Sequence, residues 1–242
     1  MILPRSEDAL HKAQLYRLLI EIIDDHDIAS QVFFKGGSCA AMLGFLDRFS
    51  IDLDFDVKKN TDKKTIDFKL NKIFHKLGLE VKQKSRRTLF YLLKYHSSGQ
   101  FRNTIKLSLI DQALKSNIYQ HQYLFEIDRY AVCQTKETMF ANKLVAVTDR
   151  YQKYKTIAGR DIYDIHHFFI QGYPYHASII EERTAMTSHA YLIKLVKFIE
   201  KKVTDKIITQ DLNFLLPQDQ FHIMRKVLVQ EVLMFLKRDI EL

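Results

Sequence analysis

Cysteine is scarce: Cys39 and Cys133 are the only two in 242 residues, too few for a disulfide framework or a cysteine zinc site, so a reducing cytoplasmic setting is expected. No uninterrupted apolar run is long enough to cross a membrane. The opening Met-Ile-Leu-Pro-Arg-Ser-Glu-Asp lacks the character of a secretion signal. The adjacent histidines His166 and His167 diverge around a helix and lack zinc spacing, so they read as core or cleft-lining residues. Internal repeats and low-complexity tracts are also missing. These absences leave a cytoplasmic enzyme as the reading. The 47% hydrophobic content, with seventeen Phe and twelve Tyr, can supply one large or two modest cores.

The most informative feature present is Phe34-Lys35-Gly36-Gly37-Ser38, followed after thirteen residues by Asp52-Leu53-Asp54. Side chains at i and i+2 of a strand share a face, so Asp52 and Asp54 can share a divalent ion while Leu53 enters the core. Magnesium commonly takes one or two protein carboxylates and completes its shell with phosphate oxygens and water. Gly36 and Gly37 permit close backbone approach. The Ser38 hydroxyl and the first N–H groups of a following helix can meet a phosphate. Taken singly, a Gly-Gly-Ser turn is common loop chemistry and Asp-Leu-Asp can be an exposed strand end. Strand, glycine turn, helix and acidic strand in that order form a compact catalytic unit.

Periodicity predicts helices over residues 8–26, 39–45 and 62–77 and strands over 32–34, 51–57, 79–84, 89–95 and 102–109. After about residue 135 the pattern is helical, over 136–151, 161–171, 185–202 and 218–236, with Pro174 and Pro217 as breaks. The expected class is α+β, a mixed-sheet catalytic domain over 1–134 and a helical domain over 135–242. A cleft between them is a plausible place for substrate. Asp161 and Asp164 share one side of their helix, and Asp161 could simply complement the positive helix end. Most lysines on amphipathic helices are solvated, so spacing alone gives Lys143 no ligand role.

The stretch Lys35-Gly36-Gly37-Ser38, continuing through Leu43-Gly44 and Arg48-Phe49-Ser50-Ile51-Asp52-Leu53-Asp54-Phe55, resembles the N-terminal signature of the AbiEii/AbiGii toxin family of DNA polymerase beta-like nucleotidyltransferases. Downstream, Glu137, Lys143, Leu144, Ala146 and Arg150, then Gly159-Arg160-Asp161-Ile162-Tyr163-Asp164-Ile165, resemble that family's lysine helix and late acidic segment. The similarity covers about residues 10 to 170. It implies a polymerase beta-like fold with a C-terminal helical domain. The phosphate grip falls to Gly36, Gly37 and Ser38, and the metal to Asp52 and Asp54. It further implies that Lys143 contacts the nucleotide phosphates, Asp161 positions or deprotonates the acceptor, and Asp164 supports it. Family members are toxins of toxin–antitoxin systems, some transferring nucleotides to RNA, notably tRNA 3′ ends. The implied cofactor is Mg2+, the substrate an NTP, and the partners an RNA acceptor and a separate antitoxin protein, with no membrane.

One departure is visible. Polymerase-like transferases often carry a third carboxylate on a later strand, where Ser108 stands here; two aspartates suffice, or Asp111 or Asp161 supplies the acid. Formal charge is +8, and the surplus clusters in Lys58, Lys59, Lys63, Lys64, Lys69, Lys72 and Lys76 and in Lys82, Lys84, Arg86 and Arg87. Such a basic rim would attract a polyanionic acceptor, though a solubilising helix surface accounts for the first group equally well. The alternatives at this stage are transfer of a nucleotide or a phosphate to a protein or small molecule, or a noncatalytic RNA- or protein-binding module on the same fold.

Overall fold

The computed structural model describes residues 1–85, 88–97, 102–112 and 114–241; Arg86 and Arg87, assigned above to the basic rim, lie outside the described residues. Two compact units are present. The first comprises Met1–Gly44, Phe49–Ala113 and Tyr119–Gln134, the second Phe45–Arg48, Leu114–Ile118 and Thr135–Leu242.

The first unit is built on a sheet of seven strands: β1 (Val32–Lys35), β2 (Asp52–Val57), β3 (Glu80–Lys84), β4 (Leu89–Lys94), β5 (Thr104–Asp111), β6 (Tyr119–Leu124) and β7 (Arg129–Gln134). Their order is β3-β4-β5-β2-β1-β7-β6. Pairing is mixed: β2 runs parallel to β5 and antiparallel to β1, and β1 runs parallel to β7. The alternation of β2 drives one face inward. Leu53, Phe55 and Val57 are buried with Ile105, Leu107 and Leu109 of β5 and Leu89, Tyr91 and Leu93 of β4. Helices α1 (Asp8–Asp24) and α4 (Lys63–Lys76) supply the other side of this core. In α1 the fully buried Leu15, Leu18, Leu19 and Ile22 recur at the spacing of one helical face; in α4, Phe74 meets the Tyr91 ring edge-on at 5.0 Å. The helix expected over 8–26 stops at Asp24. Asp25 turns extended and accepts hydrogen bonds from the Asp27 and Ile28 N–H groups, capping a short α2 (His26–Ala29). Cys39 and Cys133 are buried free thiols, and burial, then the neighbouring Cys133, pushes the Cys39 thiol up.

His11 links α1 to the start of the acidic strand. Its Nε2 lies 3.0 Å from the Ile51 carbonyl oxygen and its Nδ1 3.0 Å from the Tyr95 hydroxyl. Burial pushes its pKa down to about 4 from 6.5, against the hydrogen bond to Ile51. Because the unfolded chain binds a proton there that the folded chain refuses, stability is full above the unfolded pKa. It falls as pH drops from about 6.5 toward 4, a loss of about 2 kcal/mol between about pH 7 and pH 5. Urea melts should show that slope in the wild type and lose most of it in His11→Gln; parallel slopes would refute the assignment.

The second unit is helical: α5 (Lys136–Tyr154), α6 (Gly159–Ile170), α7 (Ala177–Thr184), α8 (Ser188–Lys202), α9 (Asp205–Leu212) and α10 (Gln218–Glu241), following a short α3 (Gly36–Met42) that belongs to the first unit. Its core joins Phe140 and Leu144 of α5, Ile162, Ile165 and Phe168 of α6, Leu195 and Ile199 of α8, and Leu228, Val232 and Leu236 of α10. Thr135 caps α5 by accepting from the Thr138 N–H. Gly159 opens α6 because a β-carbon there would meet the Ile207 carbonyl oxygen at 2.8 Å, so only glycine lets α9 pack so closely. Among the described residues no helix is long and apolar enough to cross a membrane.

Candidate active site

In the first unit, β1 ends at Lys35 and the chain enters α3 directly through the glycine pair. Gly36 takes φ +78°, and a β-carbon on it would sit 3.0 Å from Asp54 Oδ2. Glycine thus permits both the left-handed turn and the close pass over the carboxylate. Ser38, 1% exposed, turns inward: its hydroxyl donates to the Asp52 carbonyl oxygen and reaches the Ser50 hydroxyl at 3.0 Å. Its hydroxyl therefore fastens α3 to the start of β2.

Asp52 and Asp54 lie on the face of β2 opposite Leu53, as their spacing predicts, and the alternation continues to Asp56. Register sets Lys106 of β5 beside Asp52 and Ser108 beside Asp54. Lys106 Nζ is 2.8 Å from Asp52 Oδ2. Asp111 pairs with Val57, on the alternate side of β5 from Ser108, and its carboxylate meets Lys63 at 2.7 Å. It is not the third acid. Asp56, 4% exposed, accepts from Lys35 Nζ at 2.5 Å, the Tyr119 hydroxyl at 2.8 Å and Gln134 Nε2 at 2.8 Å. Three strands are tied to one carboxylate, and both Asp56 oxygens are paired.

Asp52 and Asp54 fit a hard divalent cation. Both are partly exposed oxygen donors on one face; a dication that took Asp52 Oδ2 would displace the Lys106 ammonium from it. Among the described residues no group of three or more His, Cys, Asp and Glu could hold a metal ion; magnesium commonly takes one or two carboxylates from a protein and its other ligands from phosphate and water.

In the second unit, Lys143 on α5 extends between two carboxylates of α6, 2.7 Å from Asp161 Oδ1 and 2.8 Å from Asp164 Oδ2. Asp161 also meets Arg150 at 3.2 Å. Asp164 is gripped by the Arg48 guanidinium through Nε at 2.5 Å and Nη2 at 2.8 Å. Arg48 is 2% exposed and Asp164 is fully buried. Burial alone would raise both carboxyls, but Lys143 and Arg150 hold Asp161, and Arg48 and Lys143 hold Asp164, below the usual range. Burial likewise opposes the Lys143 charge, and Asp161 and Asp164 outweigh it and raise its pKa. Asp161 is thus held ionised, a weak proton acceptor and a strong anchor for the lysine. Beside Arg48, Asp47 accepts from Tyr163 at 2.7 Å and Gln220 at 2.9 Å and lies 3.0 Å from His167 Nδ1. Burial is outweighed there by His167 and Tyr163, and its pKa falls to about 2.

Sequence reasoning gave no role to Arg48, Asp56 or Lys106. Asp56 carried a readable signal, the next step of the alternation that marks Asp52 and Asp54. The two cation pairings depend on contacts between distant segments.

Residues 17–226 match the model of the family described as "Nucleotidyl transferase AbiEii toxin, Type IV TA system". No curated protein sequence matches significantly. Among solved structures, a candidate nucleotidyltransferase from Helicobacter pylori is similar over 97% of this chain and 98% of its own, with TM-score 0.55 and 18% identity. JHP933 from Helicobacter pylori is similar over 98% and 96%, with TM-score 0.53 and 17% identity. An antigenic nucleotidyltransferase-like protein from Paracoccidioides brasiliensis is similar over 90% and 98%, with TM-score 0.50 and 15% identity. At these identities the likeness establishes a nucleotidyltransferase-like fold.

Proposed function

The chain belongs to the AbiEii nucleotidyl transferase toxin family, and from that premise we propose that it transfers a nucleoside monophosphate from an NTP to a hydroxyl of an RNA acceptor, releasing pyrophosphate. The observation that carries this reading is the meeting of Asp54 with the Gly36 turn on the same strand face as Asp52. In the reaction the acceptor oxygen bonds to the α-phosphorus, the bond to the β-phosphate bridge breaks, and the hydroxyl proton passes to solvent. Mg2+ held by Asp52 and Asp54 would supply Lewis-acid stabilisation of the charge developing on the phosphate oxygens. Gly36 and Gly37 leave room for the polyphosphate, and Ser38 keeps that turn fixed to β2. Lys143, kept charged by Asp161 and Asp164, offsets phosphate charge as it builds. Asp161 acts by aiming Lys143. The tRNA 3′ end is the acceptor to test first, and the toxin family implies an antitoxin as partner. A cytoplasmic setting is consistent with two buried free thiols.

The test incubates the protein with magnesium, each α-labelled NTP in turn and total bacterial RNA. Label in a discrete RNA band is expected for one nucleotide, and its size names the acceptor class. Label that enters protein or a small molecule instead would overturn the RNA assignment; no label with any acceptor would overturn nucleotidyl transfer.

A further inference from the structure

The acidic face of the first unit continues away from Asp56 as a row of rings. Alternation along β6 and β7 puts Tyr119, His121 and Tyr123 beside Gln134, Val132 and Tyr130. Gln134 and Tyr119 both reach Asp56, so these residues share the face of Asp52 and Asp54. Phe33, whose Cα partner is Asp56, stacks on Tyr119 with centroids 4.2 Å apart and planes 22° from parallel. Lys58 Nζ lies 5.6 Å from the Phe33 centroid. Further along, Tyr123 and Tyr130 meet at 5.0 Å, and Tyr130 is 70% exposed. A cavity of about 340 Å³ opens there, lined in part by Phe33, Lys58, His121 and Tyr130.

We propose that this row is a base-stacking track for the acceptor, a single-stranded RNA segment whose end lies at Asp52 and Asp54. The proposal rests on the reading of RNA as acceptor. Aromatic rings succeeding one another along adjacent strands offer several stacking surfaces, which suits a strand of bases rather than one mononucleotide. Its exposed rim carries His26, Lys58 and His121, with the less exposed Ile23 and Val132 beside them, and the chain's formal charge of +8 favours a polyanion. Several rim lysines expected from the sequence to serve that purpose are engaged elsewhere: Lys63 with Asp111, Lys69 with Asp25 and Asp27, Lys76 with Glu21 and Lys84 with Asp67. Lys58 instead sits over a ring of the track.

The test is fluorescence anisotropy of the full chain with a labelled single-stranded RNA oligonucleotide, and with an abasic oligomer of equal length. Tyr130→Ala should bind the RNA roughly tenfold more weakly than wild type, and Tyr130→Phe, which keeps the ring, should restore the affinity. Wild type should bind the abasic oligomer at least as weakly as Tyr130→Ala binds RNA, because the abasic chain loses every stack and the variant only one. Equal affinity of wild type and Tyr130→Ala, or of wild type for the two oligomers, would overturn the track. If wild type still labels RNA in that case, the transferase reading survives; base-dependent binding without labelling would remove the transferase and keep the track. Self-association that Tyr130→Ala abolishes, without base-dependent binding, would assign the rings to a second copy and overturn the proposal.

Discussion

Asp52→Ala is expected to lower nucleotide incorporation by about a thousandfold or more while leaving the protein folded. Asp52 is partly exposed, with 21% of its side chain open to solvent. Its pair with Lys106 is therefore screened and contributes at most about 1 kcal/mol to stability. No buried group is stranded when the carboxylate goes, because the Ser38 hydroxyl bonds to the Asp52 backbone carbonyl, which alanine keeps. Asp52→Asn separates charge from shape: the amide fills the same space but cannot neutralise a divalent cation, so it should be nearly as inactive as alanine. The measurement is initial incorporation rate with saturating NTP and magnesium, beside a thermal melt of each variant. Near wild-type rate in a folded Asp52→Ala protein would remove this carboxylate from the chemistry.

The acidic strand was legible because its meaning lies in a period of two that involves only neighbours in sequence. Asp52, Leu53 and Asp54 declare two faces at once. The hairpin of β6 and β7 was not foreseen, and β6 shows why. Tyr119, His121 and Tyr123 alternate with Gln120, Gln122 and Leu124, so neither face is consistently apolar, and the edge position leaves half of the strand exposed. A strand without an amphipathic contrast gives periodicity nothing to read. Helices α7 and α9 have eight residues each, barely two turns, too short to establish a stripe. The Ser38 hydroxyl was expected to face phosphate because its neighbours are glycines; its actual partners, Ser50 and the Asp52 carbonyl, become visible only once α3 is laid against β2. The same holds for Lys106, which meets Asp52 through a parallel register that no local pattern encodes.

Arg48→Ala should destabilise the second unit by about 3–5 kcal/mol, more than any surface substitution. Asp164 is completely buried, and Arg48 grips both of its carboxylate oxygens from a position 116 residues away in the chain. Remove the guanidinium and Asp164 retains only Lys143, which it shares with Asp161. Asp161 would keep Arg150 beside it, whereas Asp164 would have only a share of the Lys143 ammonium and would be ionised with an incomplete counter-charge or take up a proton. Because Arg48 is what keeps Asp164 low, the loss should shrink as pH falls far enough to protonate the folded wild-type carboxyl. The sign follows from the depressed folded pKa: stability from this pair is present above the unfolded carboxylate value and lost as pH falls through the folded one. Arg48→Met with Asp164→Leu replaces both charges by apolar groups and should recover much of the stability, since a buried pair replaced together by hydrophobes is often neutral. Chemical denaturation of the single and double variants reads the difference. A single variant as stable as wild type would mean that the buried pair is not anchoring α6. Recovery of stability in the double variant without recovery of incorporation would assign Asp164 a second task, keeping Lys143 in line with Asp161 when phosphate arrives.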